Sequence, residues 1–283
     1  EILIITPESL HLLLAQKGYA SIFQTLKIIA VDEWHEVLGS KRGVQVELAI
    51  SRILNAQSIN NIQCSIWGIS ATIGNLEEAK EVLLSPLKKE GVIIKAHLQK
   101  QIEIESIIPD EIEKYPWAGH LGIKLAHKLI PIIQKSKTTL IFINTRGMSE
   151  TWYQTLLDIC PDLAGSIALH HGSIDLELRT WIEESLHSGN LNAVVCTASL
   201  DLGVDFRPVE TVIQVGSPKG VARFLQRAGR SGHSPDAISK IYFLPTHCLE
   251  LTEAAALKSA ISENLIESRE PKMLCYDVLL QYL

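Results

Sequence analysis

Two carboxylates stand side by side at Asp32 and Glu33, directly after the aliphatic run Ile28–Val31 and directly before Trp34 and His35. Such a pair can hold a hydrated magnesium ion through one carboxylate and orient or deprotonate a water with the other. Further along, Gln226–His233 reads QRAGRSGH and sets Arg227 and Arg230 three residues apart on a short helix ending near Gly229. Arginine forks match phosphate oxygens and the charge that develops in phosphoryl transfer. A guanidinium brought to that charge is worth about 10³ to 10⁵ in rate. The spacing predicts one domain holding metal and water while a second brings positive charge. Two other metal readings fail. His35–Glu36 opens an HExxH zinc pattern, but position 39 is glycine. His170 and His171 are adjacent at a strand end, so they point to opposite faces, and a bond to a neighbouring loop is the expected role.

The 283 residues, 46% hydrophobic, are enough for about two domains with real cores. A net charge of −6 argues against a general nucleic-acid coat. Between Glu210 and Asp236, however, there is no acidic residue, while Lys219, Arg223, Arg227 and Arg230 all fall there. An acidic body with one basic stripe is compatible with a defined anion track; a solvated helix face is the bland alternative. No aliphatic run approaches the length of a membrane span. The five cysteines are odd in number and widely spaced, which predicts reduced thiols in a cytoplasmic protein and speaks against a disulfide framework or a zinc ribbon.

Strand-like runs ending in polar residues alternate with helical patterns: EILIIT then PESLHLLLAQ, LKIIAV then GVQVELAISRIL, CSIWGIS then NLEEAKEVLL. This βα alternation predicts a parallel sheet covered by helices. Asn75 with Glu78 is an expected capping pair for the third helix. Residues 96–117 read as a connection, followed by a second βα series that includes TTLIFINT, SIALHH, NAVVCTAS, ETVIQVG and the basic helix VARFLQRA. The expected architecture is therefore two doubly wound α/β domains, at 1–95 and 118–245, with a helical region opening at 246–283. A first strand with no polar lead-in and no initiating methionine predicts a fragment whose first domain is truncated at its N-terminus.

In chain order, TPES (Thr6–Ser9), DEWH (Asp32–His35), SAT (Ser70–Thr72), FINTR (Phe142–Arg146), CTASLDLGVD (Cys196–Asp205) and QRAGRSGH resemble motifs Ib, II, III, IV, V and VI of the superfamily 2 helicases. The longer stretches DEWHEVLGSKRGVQ, SATIGNLEEA, YPWAGHLGIKL, ALHHGS and GSPKGVARFLQRAGRSGH resemble the large-helicase-related (Lhr) branch, in particular the bacterial ligase-associated DEXH-box form.

The resemblance implies two RecA-like domains leading into a winged helix. It implies ATP and Mg²⁺ as cofactors, Asp32 holding the metal through water, Glu33 as base, and His35, Ser70 and Thr72 coupling nucleotide to nucleic acid. Gly203, Asp205, Gln226, Arg227 and Arg230 would face the nucleotide, Arg230 as the finger. Thr6, Pro7, Asn144, Thr145, Arg146, His171, Gly172 and Thr197 would line the phosphodiester backbone. Arg42 could add a phosphate contact or be a solvated charge. Two departures stand out: His233 replaces the third arginine many superfamily 2 enzymes carry, and no GxxxxGK[ST] occurs. The P-loop is therefore expected upstream of Glu1, leaving this piece alone inactive.

The implied activity is ATP-dependent DNA unwinding in the 3′ to 5′ direction on single strands or duplexes with a 3′ overhang, beside a DNA ligase and nuclease in repair. A non-catalytic nucleic-acid-binding fragment and an RNA-remodelling ATPase remain as alternatives.

Overall fold

The computed structural model describes residues 1–58, 64–71, 73–95, 101–110, 122–201, 209–232 and 238–282. The chain divides into two compact units, Glu1–Ala96 with Ile266–Leu283, and His97–Leu265.

In the first unit, Thr6 caps α1 (Pro7–Leu14): its hydroxyl oxygen accepts from the Ser9 amide, and Pro7 supplies a preset φ at the helix start. A short α2 (Tyr19–Ile22) leads to β1 (Ile28–Val31), then α3 (Trp34–Val37) and the long α4 (Lys41–Ser58). β2 (Ser65–Gly68) pairs parallel with β1, and α5 (Leu76–Leu84) follows. Val46, Ile50 and Ile53 recur at helical spacing, so α4 presents one apolar stripe. Val46 and Ile50 pack with Trp34, Ile66 and Leu83, while Ile53 joins Leu14 and Phe23. The opening run EILIIT, expected as a strand, is not one: Ile2 and Ile4 are 93% and 94% exposed. An aliphatic run becomes a strand only against a partner that takes its backbone groups, and among the described residues β1 and β2 pair only with each other.

The second unit begins with β3 (Ile102–Ser106). It continues through a 3₁₀ turn into α6 (Leu129–Lys135), then β4 (Thr139–Phe142), α7 (Arg146–Ile159), β5 (Ile167–His170) and α8 (Leu176–Ser188). β6 (Ala193–Cys196), β7 (Thr211–Val215), α9 (Val221–Ala228), β8 (Ser239–Leu244) and α10 (Leu249–Ser262) complete it. The sheet is parallel throughout, in the order β3-β8-β7-β4-β6-β5. β4, β6 and β7 are buried on both faces, which is why they read as continuous aliphatic runs. Leu140, Val194 and Val212 pack with Ile182, Phe224 and Leu257 of α8, α9 and α10 on one face. Ile141, Val195 and Ile213 pack with Leu129, Trp152 and Leu156 of α6 and α7 on the other, which makes the unit doubly wound.

Two strands were not anticipated. β3 lies inside the stretch expected as a connection and pairs with β8, Ile104 opposite Ile241, while β8 lies beyond the expected series and pairs with β7 as well. The terminal stretch 246–283 is divided: α10 packs on the second unit, whereas Ile266–Leu283 belongs to the first and ends in α11 (Tyr276–Tyr282). There the Tyr282 hydroxyl donates to Leu48 O at 3.0 Å. No helix among the described residues is long and apolar enough to cross a membrane.

Glu47 sits half-buried on α4, and burial pushes its carboxyl up to about 7. The unfolded carboxyl, near 4.5, ionises first. Stability present while both states are protonated is therefore lost as pH rises from about 4.5 to about 7. Glu47→Gln removes that loss. The melting temperature of the variant minus that of the wild type should grow across this window and flatten above it, as read by thermal unfolding at several pH values.

Candidate nucleotide and nucleic-acid sites at the strand ends

At the carboxyl end of β1 the chain turns sharply. Glu33 adopts φ 49° and ψ 43°, a left-handed conformation that costs a non-glycine residue about 1–2 kcal/mol. Pairing with the second strand continues past the sheet: Ile69 N donates to Val31 O and Trp34 N to Ile69 O, both at 2.9 Å. Asp32 is exposed, and its Oδ1 accepts the Glu33 amide at 3.0 Å. His35 is buried, and its Nδ1 accepts the Ala71 amide at 3.1 Å. This fixes the tautomer with the proton on Nε2, 3.6 Å from Glu36 Oε1. Ser70 donates its hydroxyl to Ala71 O at 2.7 Å. Asp32, Glu33, His35 and Ser70 are thus brought together, while Thr72 lies outside the described residues.

Elsewhere on this unit Thr6 and Pro7 open α1, and Arg42 Nε donates to Glu8 Oε1 at 2.8 Å. Arg42 therefore bridges α1 and α4, and an incoming phosphate would compete with Glu8 for it.

In the second unit the predicted strand-contact residues collect on one rim. Thr145 caps α7, its Oγ1 accepting from Met148 N. Arg146, in the first turn, reaches the Ser173 hydroxyl, next to Gly172. Asn144 Nδ2 donates to Ser217 O at 2.8 Å, and Thr197 N to His170 O at 3.3 Å. His170 and His171 do face apart. His170 bonds Ser199 Oγ and Glu183 Oε1, whereas His171 Nδ1 accepts from Ser173 N and its Nε2 lies 3.2 Å from Glu150 Oε1. Burial lowers the His170 pKa against the pull of Glu183, so that imidazole is a neutral support of the rim.

Arg227 departs from expectation. It is 2% exposed, and its fork closes on Asp201, Nε to Oδ1 at 2.7 Å and Nη2 to Oδ2 at 3.0 Å. Nη1 donates to Gln214 Oε1 at 2.6 Å, and the guanidinium lies 4.7 Å from the Phe142 ring centroid. A guanidinium so enclosed serves the interior and is not presented to a nucleotide. Arg230, one turn on and half-buried, donates from Nη2 to Asp201 O at 2.6 Å. Gln226 lies partly buried beside them on α9. Gly203, Asp205 and His233 fall outside the described residues. Asp201 is not among the expected site residues, although Gln214, a polar residue inside the core strand TVIQV, signals a buried polar partner.

Residues 1–80 match the DEAD/DEAH box helicase family and residues 123–234 the helicase conserved C-terminal domain. The ATP-dependent helicase Lhr-Core protein 2 of Thermococcus barophilus is 34% identical over 100% of this chain and 33% of its own length. The chain belongs to the DEAD/DEAH-box helicases of superfamily 2, in their Lhr branch. The Lhr-Core helicase of Methanocaldococcus jannaschii is likewise 34% identical over 100% of the chain and 32% of itself. The chain thus spans about a third of the length of these curated Lhr relatives. The structure of Mycobacterium smegmatis helicase Lhr bound to ssDNA and AMP-PNP superposes with a TM-score of 0.83 at 28% identity, covering 97% of this chain and 35% of that one. The DNA-bound helicase MrfA, at 22% identity, TM-score 0.79 and 98% of this chain against 37% of its own, shares the fold. Both units are accordingly RecA-like.

Removing one member of a buried ion pair strands the other. Arg227→Ala should destabilise the second unit by roughly 3–5 kcal/mol, far more than Arg230→Ala, as measured by urea unfolding.

Proposed function

We propose that the protein is an ATP-dependent DNA helicase or translocase in which Asp32 and Glu33 serve ATP hydrolysis and the rim of the second unit grips the strand. The observation that carries this reading is the arrangement around His35. The imidazole joins the acidic turn after β1 to the Ala71 amide, so the carboxylates and the SAT loop act as one unit. The Lhr relatives described as ATP-dependent helicases, and the Lhr structure bound to ssDNA and AMP-PNP, support it.

The residues fit a magnesium nucleotide. Among the described residues no group of three or more His, Cys, Asp or Glu could hold a cation. Magnesium needs no such cage: it keeps several waters and takes one or two carboxylates plus the phosphates of its nucleotide. Asp32, exposed at the end of β1, would hold it in that way. Bound magnesium supplies charge neutralisation at the phosphate oxygens. Glu33 orients the attacking water and accepts its proton, and Arg230 meets the charge developing on the transferred phosphoryl group.

On the strand side, Thr6, Pro7, Asn144, Thr145, Arg146, His171, Gly172 and Thr197 contact the phosphodiester backbone, with helix N-termini and hydroxyls as donors. The cap at Thr145 uses an oxygen lone pair and leaves the hydroxyl proton for a phosphate. Such contacts are independent of sequence, which suits an acidic protein. We assign translocation the 3′ to 5′ direction and place the protein in DNA repair beside a ligase and a nuclease.

In the product of the whole reading frame, Glu33→Gln should abolish ATP turnover and leave ATP binding intact; undiminished hydrolysis would remove Glu33 as the base. Arg230→Ala should lower DNA-stimulated hydrolysis by about 10³ to 10⁵. A wild-type rate would remove it as the finger.

A further inference from the structure

The segment Ile266–Cys275 carries no helix or strand, yet it is seated on the first unit through the two loops that leave the acidic site. Gly74 N donates to Glu267 O at 2.9 Å. Asn75 Nδ2 donates to Arg269 O at 2.9 Å, and Asn75 Oδ1 accepts from Arg269 N at 2.8 Å. One side-chain amide thus pairs with backbone as a neighbouring strand would. The capping expected of Asn75 is replaced by a bond between side chains. Asn75 donates to Glu78 Oε2, but its oxygen serves the distant segment and makes no cap bond to α5.

Both loops carry a glycine where this backbone approaches, although at Gly39 a φ of 78° also favours glycine. A Cβ at Gly74 would lie 2.5 Å from Ile266 O, and one at Gly39 would lie 2.6 Å from Glu270 O. Gly74 does not have positive φ, so close approach of the segment, and not its own conformation, calls for glycine there. Gly39 follows α3, which carries His35; Gly74 lies three residues beyond Ala71, whose amide His35 accepts. The segment therefore touches both loops on either side of the His35–Ala71 bond. One of its ends continues covalently into α10. The other is held by α11, where Lys41 pairs with Asp277.

We propose that Ile266–Cys275 is a strap that sets the spacing of the acidic turn and the SAT loop, with Gly74 and Asn75 as positioning residues that act through it. The proposal rests on the assignment of Asp32 and Glu33 to ATP hydrolysis. Its consequence is that the turnover rate depends on a segment that touches neither substrate.

Two variants of the whole-frame product test it. Arg269→Pro removes the amide that Asn75 accepts and leaves every residue of the acidic site in place. Gly74→Ala sets a methyl group against Ile266 O. Hydrogen exchange over 266–275 and at the residue-74 amide, which donates to Glu267 O, and steady-state ATP hydrolysis with single-stranded DNA are read together. In both variants the strap should lose protection and stimulated kcat should fall tenfold or more, while KM for ATP and strand affinity without nucleotide change less than twofold. A loss of folded protein would lower the apparent kcat at unchanged KM, and is recognised because protection is then lost across the whole first unit and not over 266–275 alone.

Release of the strap with wild-type kcat overturns the proposal, as does a strap that stays protected in both variants. A wild-type protein without ATPase activity overturns the underlying assignment instead, and is distinguished because it fails before any variant is compared.

Discussion

Parallel strand pairing is the constraint on which everything else here depends. When every strand of a sheet runs the same way, every loop that follows a strand leaves from the same edge. β4, β5, β6 and β7 therefore deliver Asn144, His171, Thr197 and Ser217 to one rim from positions far apart in the chain. β1 and β2 do the same for Asp32 and Ser70. The aliphatic strands build no chemistry themselves. Their burial fixes the edge, and the edge gathers the polar residues.

What the rims then do depends on polar groups placed in dry surroundings. His35 is buried and accepts the Ala71 amide, which ties the acidic turn to the chain leaving β2. Asp201 is buried too, with its carboxylate closing on Arg227 and its carbonyl holding Arg230. A buried ion pair adds little net stability, because desolvation offsets much of the attraction. Its contribution is geometric: it fixes α9, and with it the neighbouring guanidinium, relative to the end of β6. Glu250 does comparable work on the other side of the rim. It is buried, and its carboxylate accepts from Ser217 N and Thr246 N, so the loop after β7 is held where Asn144 also grips it.

Much of this was legible in the sequence because its signals are local. A strand that ends in Asp32–Glu33, a threonine before Pro7, and glycines around Arg230 each announce themselves within a few residues. The division of labour between the two arginines was also written there. Phe224, Arg227 and Ala228 fall on one helical stripe, all buried, and Arg230 lies off it. The β3–β8 ladder and the Asn75–Arg269 pairing were not legible, since each joins residues distant in sequence and neither partner looks unusual alone. The opening run EILIIT misled for the converse reason: its composition fits a strand, but a strand also requires a neighbour.

The most direct measurement is ATP hydrolysis by the product of the whole reading frame, with and without single-stranded DNA. Hydrolysis that rises severalfold or more on adding the strand is the expected result, since the acidic turn and the strand rim are assigned to one motor. A protein that binds the strand yet hydrolyses no ATP in its presence would contradict this and leave a strand-binding module without catalysis.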